Sequence, residues 1–230
     1  MPKDTDLKKI VETFERINRT GEPLSIFDLL AAKLYRNKIK LGELLEDAKE
    51  NYEFLKFVPP EFILKVIALI REKEPTRKNI ILKLAPKNFK EDWEIACEAL
   101  EKAYDRVVNT KDGYGVLDFK KWMPYTTMLV PLAAMLAFIL GFTDEHGKNK
   151  RRKNKSINIS SSYDKIDCWY WSSVFSNRYD QAVDTKSAND FKAIKDWIEN
   201  NKEPDFIRKF NCDEVDLDVD NNLPQYTEEL

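Results

Sequence analysis

Met128 to Phe142, MLVPLAAMLAFILGF, is the stretch that decides the fold, because it holds no charged, amide or hydroxyl side chain. It falls short of the roughly 20 residues that a helix needs to cross a bilayer, and Pro131 and Gly141 sit near its ends. A helix that is apolar all round has no face to give to water, so it belongs where other helices cover every side. The segment is therefore expected to be the core helix of a helical domain.

Working outward, apolar residues recur at spacings of three and four on both sides of this run. The pattern predicts helices at about 5–18, 25–37, 41–57, 60–73, 76–84, 89–109, 118–123, 125–141, 162–176 and 187–201. Only 6 glycines and few alternating Val/Ile/Thr-rich runs argue against a sheet. The fold class expected is all-α: a multi-helix orthogonal bundle around a central apolar helix, with little or no β-sheet. Lys111 to Gly115 reads as a turn, with Tyr114 between two glycines.

The N-terminal region shows how such helices are joined. Leu7, Ile10, Val11, Phe14 and Ile17 share one helical face. Asn18 and Gly21 tolerate the left-handed conformation that ends a helix, and Pro23 forbids simple continuation. Ser25 stands where an N-cap belongs, with Asp28 as a capping-box-like partner, before Ile26, Phe27, Leu29, Leu30 and Leu34. The unit reads as helix, tight turn, helix.

Composition narrows the class. With 230 residues, 43% of them hydrophobic, the chain has enough apolar surface for a sizeable core in one or two domains. Cys97, Cys168 and Cys212 are odd in number and far apart, so neither a disulfide framework nor a metal or redox motif is indicated. Buried, reduced thiols are expected. Met-Pro-Lys-Asp-Thr-Asp at the start lacks the apolar core of a signal peptide. A cytoplasmic protein without membrane contact is expected. Trp93, Trp122 and Trp197 fall within apolar periodic patterns, and core packing is their expected role.

Phe14 and Asn18 form an FxxxN spacing, followed by Gly21, Pro23, Leu24, Ser25 and Asp28. Farther on come Trp169-Tyr170-Trp171, then Arg178-Tyr179, then Asp190, with the proline-bearing apolar segment between the two groups. This combination resembles the GmrS-like domain at the N-terminus of GmrSD-type modification-dependent restriction endonucleases. The resemblance covers most of residues 6 to 200. It implies that Gly21, Pro23, Asp28, Arg178, Tyr179 and Asp190 are structural positions of that domain.

The family's nucleotide chemistry is attributed to an Asp-Gly-Gln-Gln-Arg motif in a preceding ParB-like half, and no such string occurs here, where Gln181 and Gln225 are the only glutamines. Its HNH-type nuclease depends on histidine, and this chain has one, His146, in a polar loop. The chain is thus expected to be an incomplete member: a fragment, a split-gene product or a decayed copy. No catalytic residue and no metal ligand is assigned within it. The resemblance implies NTP with Mg²⁺ only when the missing half is supplied, and it implies DNA and a DGQQR-bearing or nuclease subunit as partners.

Local chemistry leaves alternatives open. Asn18 reads either as a contributor, with Phe14, to the family's nucleotide site or as a helix C-cap. Lys148, Lys150, Arg151, Arg152, Lys153 and Lys155 form either a phosphate-neutralising patch or a solvated loop, in a chain whose net charge is −2. Arg178-Tyr179, following a Trp169, Trp171, Phe175 face, reads either as a guanidinium offered to phosphate beside an aromatic platform or as a clamp on Asp190. Asp213 to Asp220 alternate with apolar residues and read as an edge strand or an acidic tail.

The expected organisation is a helical region over 1–142, a basic loop over 143–161, an aromatic and a C-terminal helix over 162–205, and the tail over 206–230. Two functions follow. One is the helical part of an NTP-dependent, modification-dependent DNA restriction component acting in defence, inactive alone. The other is a non-catalytic helical module for DNA or protein interaction.

Overall fold

The computed structural model describes residues 25–141 and 157–209. Phe14, Asn18, Gly21, Pro23, His146, the Lys148 to Lys155 cluster and the alternating acidic segment lie outside the described residues. Ten α-helices are described: α1 (Ile26–Tyr35), α2 (Leu41–Asn51), α3 (Glu61–Ile70), α4 (Arg77–Lys83), α5 (Phe89–Val108), α6 (Phe119–Trp122), α7 (Leu129–Leu140), α8 (Ile159–Phe175), α9 (Val183–Asn200) and α10 (Asp205–Arg208). Two 3₁₀ turns, Glu53–Lys56 and Thr126–Met128, join them, and no strand occurs among the described residues.

α7 is the centre, as its composition dictates. Leu129 to Leu136 and Ile139 are buried, and α5, α3, α9 and α8 pack around it. Pro131 lies in the first turn, where an N–H has no intrahelical acceptor to lose. Gly141 ends the helix at φ 54°, the left-handed conformation that glycine adopts without steric cost. No helix among the described residues is long and apolar enough to cross a membrane.

Around α7, polar residues set the ends of helices and bind loops to them. Ser25 and Asp28 complete a capping box on α1: the Asp28 N–H donates to Ser25 Oγ at 3.1 Å and the Ser25 N–H donates to Asp28 Oδ2 at 3.1 Å. Thr76, Asp118 and Asn158 cap α4, α6 and α8 with side-chain oxygens. Lys33 on α1 donates to the carbonyls of Ile81, Leu82 and Leu84 at 2.8, 3.3 and 2.9 Å, putting an ammonium on the negative end of α4. Arg71 bonds Asp92 on α5 at 2.6 Å and the carbonyls of Ala85 and Lys87 at 2.7 and 2.8 Å, which fixes the α4–α5 connection.

Several expectations need correction. The single helix expected over 41–57 breaks at Tyr52, which is extended at φ −125°, so that the following turn can bury Phe54 in the core. α8 begins at Ile159, inside the stretch assigned to the basic loop, because Asn158 supplies its cap. α9 begins at Val183, after Ala182 in the left-handed conformation. Residues 206–208, assigned to the tail, are helical, and Ile207 is buried. Trp122 is 46% exposed rather than in the core, and Cys168 is exposed rather than buried.

Candidate functional site

The strongest constellation of polar side chains is built on the α8–α9 corner. α8 ends in a Schellman motif: the Asn177 N–H donates to the Val174 carbonyl at 3.3 Å and the Arg178 N–H to the Ser173 carbonyl at 3.0 Å. Asn177 takes the left-handed conformation at φ 50°, which an asparagine tolerates better than most residues. The reversal returns Arg178 and Tyr179 toward the buried side of α8, where Trp169 projects.

All three meet Asp190 of α9, which is 0% exposed. Arg178 donates through Nη2 to Oδ1 at 2.6 Å and through Nε to Oδ2 at 2.9 Å. Trp169 Nε1 and the Tyr179 hydroxyl each donate to Oδ2 at 3.0 Å. The indole and phenol rings meet edge to face at 6.1 Å. The outer surface of the guanidinium is covered by the Phe206 ring, 3.8 Å away, which gives the short α10 its anchor.

Burial pulls the Arg178 guanidinium down, but the hydrogen bonds and charge of Asp190 outweigh it and hold the group above its ordinary value. Burial, then the negative charge of Asp190, keeps the Tyr179 phenol protonated well above the usual range. A guanidinium forked onto a carboxylate and covered by a ring is committed to its partner rather than offered to a phosphate. The geometry therefore joins α8, α9 and α10; it is the clamp alternative of the two read from Arg178-Tyr179.

A second cluster of the same three residue types was missed in the sequence. Arg106 of α5 donates to Asp167 of α8, through Nη2 at 2.7 Å and Nε at 3.1 Å, and the Tyr114 hydroxyl donates to the same Oδ1 at 2.8 Å. The Tyr163 ring lies 4.5 Å from the guanidinium. Burial, then the Asp167 charge, raises the Tyr114 pKa. The Lys111 to Gly115 turn makes this possible by folding back on α5, with the Tyr114 N–H on the Arg106 carbonyl at 2.8 Å. Gly113 is required there, since a Cβ would stand 2.1 Å from the Arg106 carbonyl oxygen. The glycines around a tyrosine were the available signal; the Arg106 and Asp167 partners, far apart in sequence, carried none.

The aromatic residues of α8 do not form one face. Trp169 and Tyr170 point inward, and Trp171 and Phe175 stack on each other at the surface, ring centroids 5.8 Å apart. Successive turns at 100° per residue put positions 169 and 171 on opposite sides of a helix. Elsewhere, a groove of about 1000 Å³ runs between α9, α10 and the end of α3, with Leu69, Phe191 and Phe206 in its wall. Its charges pair with each other, Lys195 with Glu72 at 2.6 Å and Arg208 with Asp205 at 2.9 Å, and select no ligand class. Cys97 is buried, and its thiol is pushed up by burial and by Glu94, Glu98 and Glu101, which makes it a poor nucleophile. No cluster of potential metal ligands occurs among the described residues.

No family model matches the chain, and no solved structure matches it. Among curated proteins it is similar to "Uncharacterized protein MJ0686" of Methanocaldococcus jannaschii, 32% identical over 216 residues that cover 90% of this chain and 34% of that protein. The chain thus spans about a third of the length of the curated relative it matches.

Proposed function

We propose that this chain is the helical, non-catalytic part of a GmrS-like component of NTP-dependent, modification-dependent DNA restriction. In this reading it supplies a rigid scaffold and binding surfaces, and the nucleotide with its Mg²⁺ belongs to a DGQQR-bearing polypeptide. What supports it most is the use made of the pattern residues that are described. Trp169, Arg178 and Tyr179 all end on Asp190, and Asp28 closes a capping box. Residues that carry the resemblance build the fold here and leave no reactive group exposed, which suits a scaffold more than a site of turnover.

The test is nucleotide hydrolysis by the chain alone and in mixture with a DGQQR-bearing polypeptide of the GmrS type. Turnover is expected in the mixture at most. Hydrolysis by the chain alone that disappears in Asn18→Ala would overturn the reading. DNA retention lost on Arg151→Glu with Arg152→Glu, with the thermal unfolding transition unchanged, would assign the basic cluster to DNA. Retention unaffected by that pair would remove DNA from the partners of this chain.

A further inference from the structure

We infer that the outward face of α8 docks an amphipathic helix of a partner protein, an inference that rests on the reading above for the partner's identity. Asp164, Cys168, Trp171 and Phe175 are exposed and follow one another at spacings of four, three and four. That is the spacing of a seam that receives another helix packed along it, since it keeps successive side chains within one narrow stripe. Trp171 is 39% exposed and Phe175 44%, yet both are held in place, stacked on each other and with the Tyr114 ring edge-on to Trp171 at 5.6 Å. Rigid aromatic anchors of this kind lose little freedom on binding and dominate protein interfaces.

The segment between α5 and α7 widens the surface. It meets α8 at Tyr114, stacked on Tyr170 at 3.8 Å, and again at Tyr125, whose hydroxyl donates to Asn177 Oδ1 at 3.0 Å. Between these points it carries the exposed Leu117 and Trp122. Exposed charges on this segment and just past α8 balance: Lys111, Lys120 and Lys121 against Asp112, Asp118 and Asp180. An aromatic centre with a rim of both signs is the anatomy of a protein interface, whereas a phosphate backbone calls for an excess of cations. Most of the length of the archaeal relative lies outside the part that this chain matches. A domain that is a minor share of a larger protein must meet the rest of it somewhere, and this seam is the described surface best suited to do so.

The test uses the full chain with a DGQQR-bearing polypeptide of the GmrS type, measuring affinity by calorimetry for wild type and for Trp171→Ala with Phe175→Ala. The double variant should keep the wild-type unfolding transition and bind at least about tenfold more weakly. A second measurement needs no variant: maleimide alkylation of Cys168, followed by peptide mass spectrometry, should slow by about tenfold or more in the complex, because docking covers the thiol. A complex that the double variant forms equally well, with Cys168 alkylated at an unchanged rate, overturns the inference and leaves the functional reading standing. No complex with wild type overturns the functional reading and takes this partner with it. Self-association of the chain abolished by the double variant would give the seam to a second copy and overturn the inference as stated.

Discussion

The α8–α9 corner and the α5–α8 contact use the same three side chains, an arginine, an aspartate and a tyrosine, to opposite extents of burial. Asp190 is sealed, its side chain 1% exposed, and a tryptophan adds a fourth member. Asp167 keeps a 33% exposed side chain, so water competes for its oxygens. The difference teaches that residue chemistry does not set the worth of such a cluster. Desolvation does: a buried charge left without its partner is far more costly than one that water can reach.

Asp190→Ala should therefore cost most, about 3–5 kcal/mol in denaturant unfolding, because it strands the guanidinium and two buried donors. A loss no larger than that of Asp167→Ala would break the comparison. Gly113→Ala should cost about 1–3 kcal/mol, since the new Cβ forces apart the turn that brings Tyr114 to Asp167. Asp167→Ala should cost about 1–2 kcal/mol, discounted for the access of water. Trp171→Ala with Phe175→Ala should change stability least, by about 0.5 kcal/mol or less per site, as expected of exposed positions.

pH sharpens the contrast. Tyr179 has a folded pKa raised above its unfolded value, so the unfolded chain releases that proton first as pH climbs past 10. Its contribution is complete below pH 10 and is lost above it, with a slope of at most about 1.4 kcal/mol per pH unit. Tyr114, Tyr170 and Tyr52 act with the same sign. Tyr179→Phe should cost about 1 kcal/mol at neutral pH and flatten the alkaline fall in stability, measured by urea titrations between pH 8 and 11. An unchanged slope would mean that the phenol is not held by Asp190.

Much of the fold was legible because it rests on local rules. Ser25 with Asp28, Pro131 in a first turn and Gly141 at a helix end are decided within a few residues of themselves, and each stands where the sequence places it. Trp122 and Cys168 were misjudged because a periodic apolar pattern tells which residues share a face, not whether another element covers it. The break at Tyr52 escaped for a related reason: burying Phe54 outweighs helical continuity there, and that gain lies in the core rather than in the segment.

The Asp190 cluster was half legible. Arg178-Tyr179 and Asp190 were singled out and their mutual contact was one of two open readings, but the indole of Trp169 and the ring of Phe206 entered only with the structure. Nothing marked the Arg106–Asp167 pair, whose members stand 61 positions apart.

By itself the sequence determined an all-α chain organised on one apolar helix, since periodicity, capping and the absence of charge from 128 to 142 are properties of neighbours along the chain. Tertiary structure decided which of two chemically equal clusters is sealed from water, and which aromatic residues of α8 are core and which are surface. Burial is a property of what packs across a residue, and those partners come from distant parts of the chain.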